Sequence, residues 1–414
     1  MTFYFPMEIP KNWPASPLKR ENLRPEEIKE FLRIRADYEK SAFVTEGHFE
    51  VRATTAKEFS EPIPPEESPV TALVAHASGY LYGATSGTRA HLFFYNPAPD
   101  ADACAEIGVV APDCQIPALA VTGDGTVYGL GNRSGRMFLF RYLPSEVLLE
   151  QRDFTGMGVR EVFDLPAEDQ LFFSTIDPCH GAGKIELLDL VLPDETASAL
   201  VADTRGMLWM LTDTTGTLLC WNPKDMPEPK TVGTIGSMGG HSNTLLPTGS
   251  GVVAATLYGR LMMGTENGLE PLGCQAPAIK GRELYNRVTA WNCHAMDEGL
   301  YYGGTIDGIL FALDLAKKET ICLGKPTDQP RITALAASAG MIYGLNGTPE
   351  DCAHFFCYNP QNREQRDLGC ILARSERPWN GYRCESMVRG KDGTLFLGEN
   401  DRLGHLFRYF PPAR

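Results

Sequence analysis

The chain has 414 residues, 43% of them apolar and 22% charged, which is enough material for a large core and unlike a disordered protein. Fifty-two acidic against 38 basic side chains give a formal charge of −14, which repels phosphate backbones and anionic lipid, so neither nucleic acid nor membrane is expected as a partner. Its 11 cysteines, an odd number at irregular spacing, read as reduced thiols in a cytoplasmic protein.

In chain order, the first residues break at Pro6, Pro10 and Pro14 and lack the apolar run of a secretory signal. Pro25 then opens a stretch with Glu26 and Glu27 early and Ile28, Phe31, Leu32 and Ile34 near helical spacing, which predicts one N-terminal amphipathic helix within an extension over residues 1–46. From His48 the run HFEVRATTAKEFSEPI alternates apolar and polar residues, as a strand does.

Downstream the chain repeats itself. VTALVAHASGYLYG from Val70 returns as ITALAASAGMIYGLNG from Ile332, and FFYNP ending at Pro97 returns as FFCYNP ending at Pro360. Weaker copies begin near Ile116, Arg160, Ser198, Ser242, Val288 and Cys384. Each reads as two apolar strands around a Gly, Asp or Ser turn, a polar loop, and a third strand such as HLFFYNP, MFLFRY or HLFRYFP. This period predicts an all-β protein, a β-propeller of four-stranded antiparallel blades over residues 47–414. The copies number eight, and seven blades follow instead if the divergent copy at Arg160 or Ser242 is an insertion. The last copy ends at Arg414 after its third strand, so segment 47–62 is expected to supply the missing strand and close the ring.

Named signatures are mostly missing. No Trp-Asp dipeptide, no G-x-S-x-G elbow, no haem-attachment motif and no calcium loop occurs, and no cysteine and histidine spacing matches a zinc site. What does recur is cationic. Aligning the copies puts Pro69, Arg287, Arg331 and Arg383 at one position, just before the innermost strand, with Arg160 and His241 within one residue of it. Arginines facing a narrow axis repel one another unless an anion or internal carboxylates such as Glu385 and Glu399 offset them. Tyr285 precedes Arg287 by two residues and Tyr382 sits beside Arg383, while Trp379 offers a platform for a sugar ring. Such a set suits β-elimination of a uronate: Arg160, Arg287, Arg331 and Arg383 would neutralise the carboxylate, and His241, Tyr285 and Tyr382 would move the protons.

The pattern of YG or LG followed by a loop and HLF-x-Y, with the closing GENDRLGHLFRYFP, resembles the β-propeller polysaccharide lyases of the ulvan-lyase and rhamnose–glucuronate lyase kinds. The resemblance implies His, Tyr and Arg at the mouth of the axis acting on an acidic oligosaccharide. The sequence names no cofactor and leaves a divalent metal in the axial channel open. The alternative is a non-catalytic propeller that docks a partner protein.

Overall fold

The computed structural model describes residues 46–55, 62–97, 103–143, 184–188, 195–236, 242–283, 286–292, 299–347, 353–373 and 379–412. They form an all-β structure of six sheets, with a single 3-10 turn at Pro65–Glu67. The N-terminal helix expected from Pro25 and the copy near Arg160 lie outside the described residues.

Four sheets are four-stranded meanders, in which each strand pairs antiparallel with the next in sequence. A fifth sheet has seven strands, because Ala103–Val121 serves two neighbours at once. Its first half pairs with Gly87–Asn96 and its second with Val127–Arg133, and the chain turns between them at Asp113, whose φ is 47°. Pro117 falls inside the register shift between Gln115 and Ala118, where no ladder hydrogen bond is asked of it.

The sixth sheet joins the two ends of the chain. His48–Ala53 pairs antiparallel with His405–Phe410 over six residues, and Phe49 adds a parallel bridge to Ala373. Phe49 is buried, with its ring 4.9 Å from Tyr409 and 5.3 Å from Phe355. The joint continues beyond the strands: Thr54 donates its amide to the Gly404 carbonyl, and Gly404 donates to the Ser68 hydroxyl.

The repeated YG and LG motifs have a packing cause. Gly83, Gly129, Gly303 and Gly344 face Phe93, Phe140, Phe311 and Phe356 across the second and third strands. A Cβ on these glycines would stand 2.1–2.4 Å from the facing ring, so each phenyl lies over bare backbone. The aromatic supplies the apolar surface that the glycine lacks.

The innermost strands are small and apolar, as in VTALVA, ASALVA and ITALAAS. Their hydroxyls stitch the units together. Thr71 Oγ1 donates to the Ile116 carbonyl at 2.7 Å, Thr289 to Ile332 at 2.6 Å and Thr333 to Cys384 at 3.0 Å, each reaching the first residue of the next innermost strand. Pro117 takes the threonine's place in the second unit, and there Asn132 makes the link instead, with two bonds to the backbone of Ala197.

Candidate functional site

One backbone contact recurs where the chain approaches five of the innermost strands. The amide just past the second strand donates to the carbonyl of the residue just before the first: Ser86 to Pro69, Asp213 to Thr196, Ile306 to Arg287, Gly347 to Arg331 and Asn400 to Arg383, at 2.6–3.1 Å. Arg287, Arg331 and Arg383 therefore occupy one structural position in three successive units. Arg331 takes φ of 48°, a left-handed conformation costly for an arginine, and its own amide bonds to the Ile306 carbonyl.

Glu385 sits between two of these cations. Arg331 Nη2 lies 3.4 Å from Oε1 and Arg383 Nη2 3.2 Å from Oε2, while Asn400 donates to Oε2 at 2.6 Å. Glu385 stands where Thr71, Thr289 and Thr333 stand in other units, so a stitching hydroxyl has been exchanged for a carboxylate. Arg287 is half-buried and makes no ion pair among the described residues. Burial, then the Arg331 charge, disfavour its protonated form, and Asp213 partly offsets them. Among the described residues, three guanidiniums thus face two carboxylates, Glu385 and Asp213. Counted over the described residues, one cation of this site is in surplus although the protein as a whole is strongly acidic.

Unpaired polar atoms gather at the same place. Arg331, Asn346, Tyr382, Arg383 and Glu385 line a niche of about 10 Å³, room for one water. The Nε atoms of Arg331 and Arg383 and both side-chain heteroatoms of Asn346 are buried without a partner among the described residues. Buried polar atoms of this kind are costly to leave unmet, so four in one cluster mark a place where a polar group is wanted.

Tyr382 and Trp379 meet a second cluster. The Tyr382 amide donates to Glu399 Oε1 at 2.8 Å and the Trp379 indole to Oε2 at 3.1 Å, with His405 Nδ1 2.5 Å from Oε2. Burial raises the Glu399 carboxyl above its ordinary range, and His405 pulls the other way. The Trp379 ring packs on His405 with centroids 4.2 Å apart and is half-buried, with one face engaged inside the protein. Arg160, His241 and Tyr285 lie outside the described residues.

A set of histidines outside the arginine register stands at or near the start of the third strand. His91, His354 and His405 begin HLFFY, HFFCY and HLFRYF, and each holds a carboxylate. His91 lies 2.9 Å from Glu67 and 2.5 Å from Glu106, and Arg89, followed by Thr88 and His91, holds the Glu67 carboxyl down at about 2. His354 is pushed up to about 10 by Asp367 and then Cys370. The signal was present as His opening an apolar aromatic strand. No group of three or more His, Cys, Asp or Glu among the described residues could hold a metal ion.

No family model matches the chain, and no curated protein does. Solved structures do. Virginiamycin B lyase from Staphylococcus aureus aligns with a TM-score of 0.61 at 11% identity, covering 89% of this chain and all of that one. A catalytically inactive histidine-to-alanine variant of that lyase with quinupristin aligns at 0.59 and 10% identity, covering 88% of this chain and 100% of that one. YCF48 bound to D1 peptide aligns at 0.54 and 11% identity, covering 90% of this chain and 98% of that one. At these identities the likeness shows the fold alone, and the fold is that of a β-propeller.

Proposed function

We propose that the protein is a seven-bladed propeller that binds a carboxylate-bearing ligand at the arginine end of its axis, an acidic oligosaccharide in the first instance. The count of seven rests on the seven innermost strands, beginning at Val70, Ile116, Ala197, Leu246, Val288, Ile332 and Cys384. The segment near Arg160 then becomes an insertion between Arg136–Leu143 and Lys184–Leu188, which pair directly with each other.

The observation that carries the ligand class is the surplus, among the described residues, of guanidinium over carboxylate at Arg287, Arg331 and Arg383. Arginine matches a carboxylate in plane and in charge, and a ligand carboxylate would pair with the half-buried Arg287, which makes no ion pair among the described residues. Neutralised in this way, a uronate's neighbouring C–H becomes more acidic. A base at His241 or Tyr285, with Tyr382 near the leaving oxygen, would then complete an elimination.

Elimination leaves an unsaturated uronate with strong ultraviolet absorbance. Incubation with uronate oligosaccharides is expected to raise that absorbance in wild type, and the rise should fall by about a hundredfold or more in Arg383→Ala and Tyr382→Phe. Binding without any rise would leave a carboxylate receptor and remove the lyase step. A flat response with no binding favours the second reading, a propeller that docks a protein partner, as the peptide complex of YCF48 suggests for this fold.

A further inference from the structure

The opposite end of the axis holds a different kind of space. A cavity of about 640 Å³ is lined by the last residues of the innermost strands, among them Ala75, Val121, Ala202 and Arg389. The arginines stand before the first residues of such strands, so Arg331 and Ala337, six residues apart, are roughly 20 Å from each other. The two places do not share a residue.

The walls of this cavity have a repeating chemistry. The fourth residue from the start of six innermost strands is large and apolar: Leu73, Leu119, Leu200, Trp291, Leu335 and Met387, all lining the cavity. Every one of these strands but Leu119's is the edge of its sheet, hydrogen-bonded on one side only, which leaves backbone donors and acceptors along the axis. The Trp291 indole N–H is buried without an acceptor among the described residues. The volume lies within the roughly 300–1,000 Å³ common for small-molecule sites, which combine apolar walls with a few polar anchors.

Charge selects the ligand's head group. Asp203 lines the cavity but is already consumed: Oδ2 accepts from Arg205 at 2.8 Å and from the Trp209 indole at 3.2 Å, and Oδ1 accepts the amides of Arg205 and Met207. Arg389 lines the same cavity, is exposed, and makes no ion pair among the described residues. An isolated cation at the rim of an apolar cavity favours one negative charge attached to an apolar body.

We infer that this cavity binds an amphipathic monoanion, its flat apolar body against the ring of Leu73, Leu119, Leu200, Trp291, Leu335 and Met387 and its carboxylate or sulfonate on Arg389. The probe is 8-anilinonaphthalene-1-sulfonate, titrated by its fluorescence into the full chain. The expected result is saturable binding of one dye, weakened about tenfold in Arg389→Gln, abolished in Ala75→Trp, and unchanged in Arg331→Ala. Because Arg389 is exposed, its variant tests the site without threatening the fold. Absence of saturable binding, or binding that Arg389→Gln and Ala75→Trp both leave unaltered, would overturn the assignment. The Arg331→Ala control keeps this outcome separate from the fate of the carboxylate site.

Discussion

His354, paired across strands with Asn346 at the arginine niche, shows how one side chain contributes to the protein's response to pH. Its imidazole lies 3.2 Å from Asp367, and Asp367 and Cys370 lift its pKa from an ordinary 6.5 to about 10. Burial opposes ionisation of Asp367, yet His354 and the Gly369 amide still hold that carboxyl below its usual value. A base whose folded pKa is raised stabilises the fold fully below its unfolded pKa, and this contribution is lost as the pH climbs through the folded one. His354→Gln is therefore expected to cost on the order of 1 kcal/mol at pH near 6 and nothing measurable above about 10, read by urea unfolding at both ends. A variant equally destabilised at both ends would show that packing alone accounts for the residue. Glu67 works in the other direction: held at about 2, it contributes stability above 4.5 that is lost as the pH falls towards 2.

The element scale is where sequence and structure correspond most closely. The V/I-T-A start of the innermost strand, the YG of the second and the aromatic third strand are all visible as text, because each position answers one contact: a stitching hydroxyl, a glycine under a ring, a ring over a glycine. Arg287, Arg331 and Arg383 could be placed at one register for the same reason, since the threonine two residues later anchors the alignment in two of the three. The exchange of that threonine for Glu385 in the last unit was also legible. Asn346 was not, because its two unpaired atoms become a feature only once the strand Cys384–Arg389 is packed beside it. Nor could the text show that Ala103–Val121 runs unbroken from one unit into the next, since Pro112 and Pro117 look like interruptions and the turn at Asp113 is a matter of backbone angle.

Two substitutions test the element contacts. Gly129→Ala would put a methyl 2.1 Å from Phe140 Cζ and 2.9 Å from Leu119 Cδ2, so a loss of roughly 1–3 kcal/mol is expected from overpacking, seen as a lower urea midpoint with the slope unchanged. Thr289→Val keeps the shape of the side chain but leaves the Ile332 carbonyl without its donor, at an expected cost of about 1–2 kcal/mol. If either variant matched wild type, the corresponding repeat would be a coincidence of sequence rather than a packing rule.

At the scale of the whole molecule, the joint between His48–Ala53 and His405–Phe410 and the axial arginines rest on different parts of the chain. The strand His48–Ala53 ties the chain's two ends through Phe49, and Phe49→Ala should cost about 3–5 kcal/mol because it empties a pocket among Phe355, Phe407 and Tyr409. The two ends of the axis differ in character as well: among the described residues, guanidiniums outnumber carboxylates at one, and a wide apolar-walled cavity carries the exposed Arg389 at the other. A strongly acidic protein turns most anions away from its surface, so cations gathered along its axis confine any favourable contact with an anion to that axis.

The most direct measurement is calorimetric titration of uronate oligosaccharides, and of their neutral methyl esters, into wild type, Arg331→Ala and Arg383→Ala. The arginine end predicts binding of the acid, at least about tenfold weaker binding of the ester, and a comparable loss in both variants. Equal affinity for acid and ester, or full affinity in both variants, would contradict it.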